Sequence, residues 1–283
     1  MMLSRLKEHR VAKPWGRTDV PEAFEQTGDG EPLGEVWFQR EDGGEDALLV
    51  KYLFTSQRLS VQVHPGDEAA VKAGYKRGKD EAWLVLEADP SAELGIATKH
   101  AVSDEALRTS ALDGSIVDLI DWRPAKAGEV YYSPAGTLHS IGAGLTLLEV
   151  QQNTDLTYRL YDFGRPRQLH LDEGIDASRT DVSVEKSVPR SVSEGRKVLA
   201  EGSKFTIEEW TAGEGSLSAS KEAPRWLIPL GGLVTVDGVE LEQPSVWIAE
   251  EPLQVAVGEG GKLLVAYEGP FAEAWASAGI KVL

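Results

Sequence analysis

A mainly β fold follows from three features of the 283-residue chain. Apolar residues come in short runs of strand length, Gly, Pro, Asn or Asp punctuate them, and only two stretches carry a helical pattern. Runs at 47–54 (ALLVKYLF), 59–63 (LSVQV), 82–86 (AWLVL), 129–132 (EVYY) and 145–151 (LTLLEVQ) predict the strands of an N-terminal β unit. Residues 67–75 (DEAAVKAGY) follow a Pro-Gly turn and open with acids, as the positive end of a helix favours. Residues 103–112 (SDEALRTSAL) begin on a Ser cap and are expected to turn Ala106 and Leu107 toward a core. From 178 to 196 the composition becomes polar, which reads as a linker or an irregular edge strand. The β pattern resumes at 204–210, 226–230, 233–236, 245–249 and 262–267, with Asp237-Gly238 as a turn. That spacing predicts a second, C-terminal β-barrel or sandwich, with Trp210, Trp226, Trp247 and Trp275 in its core or at an interface. The expected division is 1–180 and 181–283, in line with about 150 residues per domain.

Composition removes several functions. The chain has no cysteine, which excludes a disulfide scaffold, a Cys-based zinc site and a thiol nucleophile. With 29 basic and 46 acidic residues the formal charge is −17, and Lys and Arg form no stripe of the kind nucleic acid requires. The start Met-Met-Leu-Ser-Arg-Leu-Lys-Glu carries no long apolar stretch, and no run approaches the ~18 apolar residues of a membrane span. A cytoplasmic protein with no membrane partner is expected. An anionic substrate would meet a repulsive overall field, so a local cluster of cations must override it.

Two of the five histidines sit in distinctive surroundings. In Gln62-Val63-His64-Pro65 the Gln and His are two residues apart, so a strand turns them to one face. In residues 128–139 (GEVYYSPAGTLH) a strand runs into a turn, where Pro134 fixes φ and Gly136 can take a positive φ, and the next strand opens on His139. His9, His100 and His170 read as surface residues, His9 near a loosely held terminus.

The second motif resembles that of the cupin superfamily, in which this His is a metal ligand inside a small β-barrel. Gln62 stands where the usual H-x-H has its first His, and Glu81 comes only after the 67–75 helix. In that departure the chain resembles the short bacterial form of type I mannose-6-phosphate isomerases. The resemblance runs through residues 48–67 (LLVKYLFTSQRLSVQVHPGD), 78–83 (GKDEAW), 134–139 and 149–167 (EVQQNTDLTYRLYDFGRPR), with KPWG at 13–16 and GEVW at 34–37. It covers residues 11–177 and implies a cupin-like β-barrel (jelly roll) with short helical insertions.

It further implies one Zn²⁺ per chain on Gln62, His64, Glu81 and His139, a borderline nitrogen and oxygen set that suits the metal. Arg159 and Lys79 map onto family active-site residues, and Glu149 is a family-matched carboxylate. The implied reaction interconverts mannose 6-phosphate and fructose 6-phosphate through an enediol-type intermediate. Its general base is open among Glu149, Asp155, Lys79 and a metal-bound water. With no Gly-rich phosphate loop, Arg159, Lys79, Arg165 and Arg167 are the cations available to a sugar phosphate. Plainer readings stand beside these. Glu81 can be an ordinary strand carboxylate, Lys79 part of a solvated basic loop, and Arg159 a structural partner of Asp155 or Asp162. A cupin oxygenase and a non-catalytic sugar-phosphate sensor are the competing functions.

Overall fold

A computed structural model of the protein describes residues 3–24 and 30–271. Three antiparallel sheets stack in layers among the described residues. The first runs in the order Lys7–Arg17, Leu33–Gln39, Leu48–Thr55, Leu145–Gln152, Glu81–Ala88, Val130–Ser133. The second runs Tyr158–Tyr161, Val61–Val63, His139–Ile141, Glu93–Thr98, Ile120–Pro124. A nine-stranded C-terminal sheet contains Arg225–Gly231, Leu253–Glu268, Phe205–Leu217 and Arg196–Glu201 and ends on the edge strand Arg190–Ser193. Leu3–Arg5 pairs with Trp247–Ala249 at its other edge.

The six-stranded sheet is the middle layer, and strand alternation sorts its side chains. Val36, Phe38, Val50, Tyr52, Phe54 and Val150 pack with Phe205, Ile207, Trp226 and Leu264 of the C-terminal sheet. Leu53, Trp83, Val85, Leu145 and Leu147 pack against Leu94, Ile96 and Ile141 of the five-stranded sheet. Cover on both faces explains why Leu48–Thr55 and Leu145–Gln152 are buried at every position and read as near-continuous apolar runs. Trp210 lies in a further core inside the C-terminal unit, with Trp247 packed on it; Trp275 lies outside the described residues.

Helices cover the outer face of the five-stranded sheet. Asp104–Asp113 starts on Ser103, whose hydroxyl accepts the Ala106 N–H, and ends on Gly114 at φ 86°. Leu107 and Ala111 enter the core, but Ala106 is exposed. The buried stripe runs from Leu107 at the i+3 and i+4 spacing to Ser110 and Ala111, which leaves Ala106 on the solvent side. Ile116–Leu119 and Leu171–Ala177 complete this layer, and Asp67–Lys72 is shorter than its pattern suggested. His9 is exposed as expected, yet it is held in the Lys7–Arg17 strand opposite Trp37. Among the described residues no helix is long and apolar enough to cross a membrane.

Candidate active site

The pleat that sends Leu53 and Leu147 inward sends Lys51 and Glu149 inward as well. Trp37, Lys51, Glu149 and Trp83 stand directly opposite one another across four strands of the middle sheet. On the facing sheet Arg159, Gln62 and His139 form a second cross-strand row. A narrow cavity of about 60 Å³ lies between the sheets, lined by Lys51 and Glu149 of one row and Gln62 and Arg159 of the other, with Lys13, Glu35, Lys79, Glu81, Asp155 and Arg167 also on its wall.

The predicted turn delivers His139 beside the cavity and is tied to the backbone of His64. Gly136 has φ 88°, its N–H donates to the His64 carbonyl at 2.8 Å, and the Thr137 N–H closes on Pro134 at 3.1 Å. Each imidazole donates its Nδ1–H to a backbone carbonyl, His64 to Leu156 at 2.8 Å and His139 to Thr137 at 3.0 Å. That fixes the tautomer and aims both Nε2 lone pairs at Glu81 Oε2, 3.3 Å from His64 and 3.4 Å from His139. Burial pushes His64 down to about 4 and lowers His139, so both rings are neutral at pH 7.

Glu81 Oε2 is buried without a hydrogen-bond partner, an expensive state for a carboxylate oxygen unless a cation completes it. The ligand atoms of His64, Glu81 and His139 lie within 4.8 Å of one another. Two neutral imidazoles and a carboxylate are the donors a divalent transition metal takes, and these three residues fit such an ion. Gln62 lies beside them with its Nε2 3.2 Å from His139 Nε2, while its Oε1 accepts from the Ser60 hydroxyl at 2.9 Å.

Lys79 is 5% exposed, not solvated, and its Nζ donates to Glu81 Oε1 at 2.8 Å. Burial by itself would raise the Glu81 carboxyl, but His64, Lys79 and His139 outweigh it and hold Glu81 well below the usual carboxylate range. Since His64 is itself neutral, the lasting charge in that set is the Lys79 ammonium. Glu149 is the opposite case. Burial and then the Glu81 charge raise it, against Lys51 at 3.2 Å and the Trp83 indole N–H that donates at 2.9 Å.

Neither structural pairing considered for Arg159 forms. Asp162 is taken by Arg165 at 2.7 Å and by Arg167 at 2.5 Å. Arg159 Nε is buried with no hydrogen-bond partner, and its guanidinium makes no ion pair among the described residues. Simple alternation would place Tyr161 beside Arg159. A register shift between Arg159 and Tyr161 instead sends Tyr161 onto the helix layer with Tyr158 and Leu160, leaving Arg159 alone toward the cavity. His170 is half-buried and accepts the Arg159 backbone N–H at 3.2 Å, so it braces that strand.

The cavity wall thus carries Gln62, Glu81, Lys79, Glu149 and Arg159, with His64 and His139 grouped behind it on Glu81, and Arg165 is not on it. Sequence reasoning assigned no role to Lys51, Lys13, Glu35 and Trp37. Lys13 pairs with Glu35 at 3.2 Å, the Trp37 indole donates to Glu35 at 2.7 Å, and Lys51 Nζ sits 4.5 Å from the Trp37 ring centroid. The available signal was a lone charge inside each apolar run, Lys51 in LLVKYLF and Glu149 in LTLLEVQ.

The low value of His64 has a measurable consequence for the metal-free protein. Between about pH 4 and 6.5 the unfolded chain binds a proton at this His and the folded chain does not. Stability therefore rises with pH across that window. Urea unfolding at pH 5 and pH 7 should show a smaller difference in His64→Gln than in wild type; equal differences would refute the burial argument.

No protein-family model matches the chain. Mannose-6-phosphate isomerase of Streptococcus mutans is 35% identical over 213 residues, 70% of this chain and 67% of that protein. Mannose-6-phosphate isomerase ManA of Bacillus subtilis is 35% identical over 215 residues, 70% of this chain and 68% of that protein. The solved structure of mannose 6-phosphate isomerase from Bacillus subtilis superposes with a TM-score of 0.79 at 25% identity, covering 94% of this chain and 99% of that one. Extended similarity in sequence and fold, together with the buried His64–Glu81–His139 group, shows that this chain belongs to the mannose-6-phosphate isomerase family.

Proposed function

We propose that the chain interconverts mannose 6-phosphate and fructose 6-phosphate in the cavity between its two N-terminal sheets, with Zn²⁺ on Gln62, His64, Glu81 and His139. One observation carries the reading: the carboxylate of a metal-competent buried triad and an unpartnered arginine line a single cavity. As fourth ligand Gln62 would use its amide oxygen, and the Ser60 hydroxyl can serve either end of the amide because it both donates and accepts. The bound ion supplies Lewis-acid stabilisation of substrate oxygens.

The chain's own residues do the rest. Glu149, whose carboxyl is raised, takes the proton from C2 of the open-chain aldose, and the C2–H electrons form the C1=C2 bond of the enediol. Return of that proton to C1, with the hydroxyl proton passing from O2 to O1, leaves the ketose. Lys51 and Trp83 hold Glu149 in orientation for both transfers. Arg159 faces the oxygen charge that develops between them, and Lys79 adds fixed positive charge beside Glu81. Five cationic side chains on the wall face four anionic ones, the local excess that an anionic sugar needs in a protein of charge −17. Arg167 is the arginine proposed for the phosphate, since Asp162 engages only its Nε and Nη2. The division into a catalytic unit 1–180 and a β unit 181–283 belongs to this proposal, supported by the placement of every named site residue before 168.

Conversion of mannose 6-phosphate to fructose 6-phosphate by purified protein tests it, before and after chelation and with Zn²⁺ restored. Turnover should vanish on chelation and return with zinc. No turnover by metal-loaded protein would leave the oxygenase or sensor readings.

A further inference from the structure

Asp80 separates Lys79 from Glu81 in sequence, is 4% exposed, and does not line the cavity. Its backbone is locked on both sides by one residue. The Asp80 N–H donates to Gln152 Oε1 at 3.0 Å, and the Gln152 N–H donates back to the Asp80 carbonyl at 3.0 Å. Its carboxylate is held by two further donors. Oδ1 accepts the Ala135 N–H at 2.9 Å, and Oδ2 accepts the Tyr132 hydroxyl at 2.8 Å. Ala135 belongs to the turn that delivers His139, so the Asp80 side chain joins the segment bearing Lys79 and Glu81 to the segment bearing the second imidazole.

The Tyr132 end is rigid. Its ring packs 4.9 Å from Phe205 of the C-terminal sheet, and a Cβ added at Gly202 would lie 1.9 Å from its Cζ, so only glycine admits the ring there. Backbone alternation then does the aiming. With Asp80 anchored away from the cavity, its two neighbours face into it, Lys79 and Glu81 meeting at 2.8 Å.

We propose that Asp80 is a positioning residue for the isomerase site, setting Lys79 and Glu81 against His139 through its bonds to Ala135 and Tyr132. The inference rests on the proposed function for its kinetic consequence, and on the His64–Glu81–His139 group alone for its consequence on metal affinity.

Three variants test it: Asp80→Ala, Asp80→Asn and Tyr132→Phe. The readouts are kcat and KM for mannose 6-phosphate on metal-loaded protein, and the affinity of metal-free protein for Co²⁺ followed by visible absorption. Asp80→Ala should lower kcat and Co²⁺ affinity about tenfold each, the lower end of what substitutions behind metal ligands cost, with KM within about twofold. Asp80→Asn keeps an acceptor for Ala135 and can donate to the Tyr132 oxygen, so it should recover to within about threefold of wild type. Tyr132→Phe, which removes one anchor and preserves the packing, should lower both quantities about threefold.

Partial misfolding would reduce the number of Co²⁺ sites but not their affinity, which separates positioning from general stability. Wild-type Co²⁺ affinity in Asp80→Ala, or an Asn variant no better than Ala, overturns the proposal. If Asp80→Ala does not fold, wild-type kcat and Co²⁺ affinity in Tyr132→Phe overturn it equally. A wild-type protein with no isomerase activity would sink the proposed function and leave the Co²⁺ measurement to decide the role of Asp80.

Discussion

Exchange of Glu81 for Gln is expected to yield a folded protein that neither retains a divalent metal nor turns over. Glu81 is the only anion in the His64–Glu81–His139 group, and its Oε2 is the atom both imidazoles face. An amide keeps the volume and still accepts from Lys79, so the cavity wall stays filled. What disappears is the charge that draws a dication into a buried site, and with it several kcal/mol of transition-state stabilisation. At 1.36 kcal/mol per decade this is a fall in turnover of about 1,000-fold or more. A clear loss of thermal stability should accompany it, because the Lys79 ammonium, 2.8 Å away and buried, then faces a neutral partner. Elemental analysis of the purified variant beside kcat/KM checks both claims. One tightly bound metal per chain with turnover near wild type would remove Glu81 from the ligand set.

Arg159→Met should separate activity from stability. The guanidinium faces the cavity with its Nε buried and unpartnered, whereas Arg165 and Arg167 are tied to Asp162. Arg159 is half-buried and its buried Nε lacks a hydrogen bond, which is costly, so an apolar chain of similar reach should leave the unfolding midpoint unchanged or higher. Turnover should drop about 100- to 1,000-fold, the usual cost of removing one donor aimed at a developing oxyanion. Thermal unfolding and kcat on the same preparation decide it. A clear loss of stability would mean that Arg159 is a structural residue after all.

Several parts of this site were legible in the chain because their causes are local. The turn before His139 needs Pro134 and Gly136 in a fixed spacing, and the shared face of Gln62 and His64 follows from the pleat. The strands at Leu48–Thr55 and Leu145–Gln152 announce themselves as apolar runs. Lys7–Arg17 does not, since an edge strand with register shifts and the sequence KEHRVAKPWGR shows neither alternation nor an apolar run. Tyr161 likewise escaped simple alternation, because the strand shifts register after Arg159.

By itself, then, the sequence determined the β class, the residues able to hold a metal, and the exclusion of thiol chemistry, all matters of residue type and short spacing. Only the tertiary structure decided which charges answer which. Lys51 meets Glu149, Lys79 meets Glu81, Asp162 takes Arg165 and Arg167, and Arg159 is left without an ion pair among the described residues. Those pairings depend on cross-strand register and on contacts between residues far apart in the chain, and burial then sets the electrostatic consequence of each one.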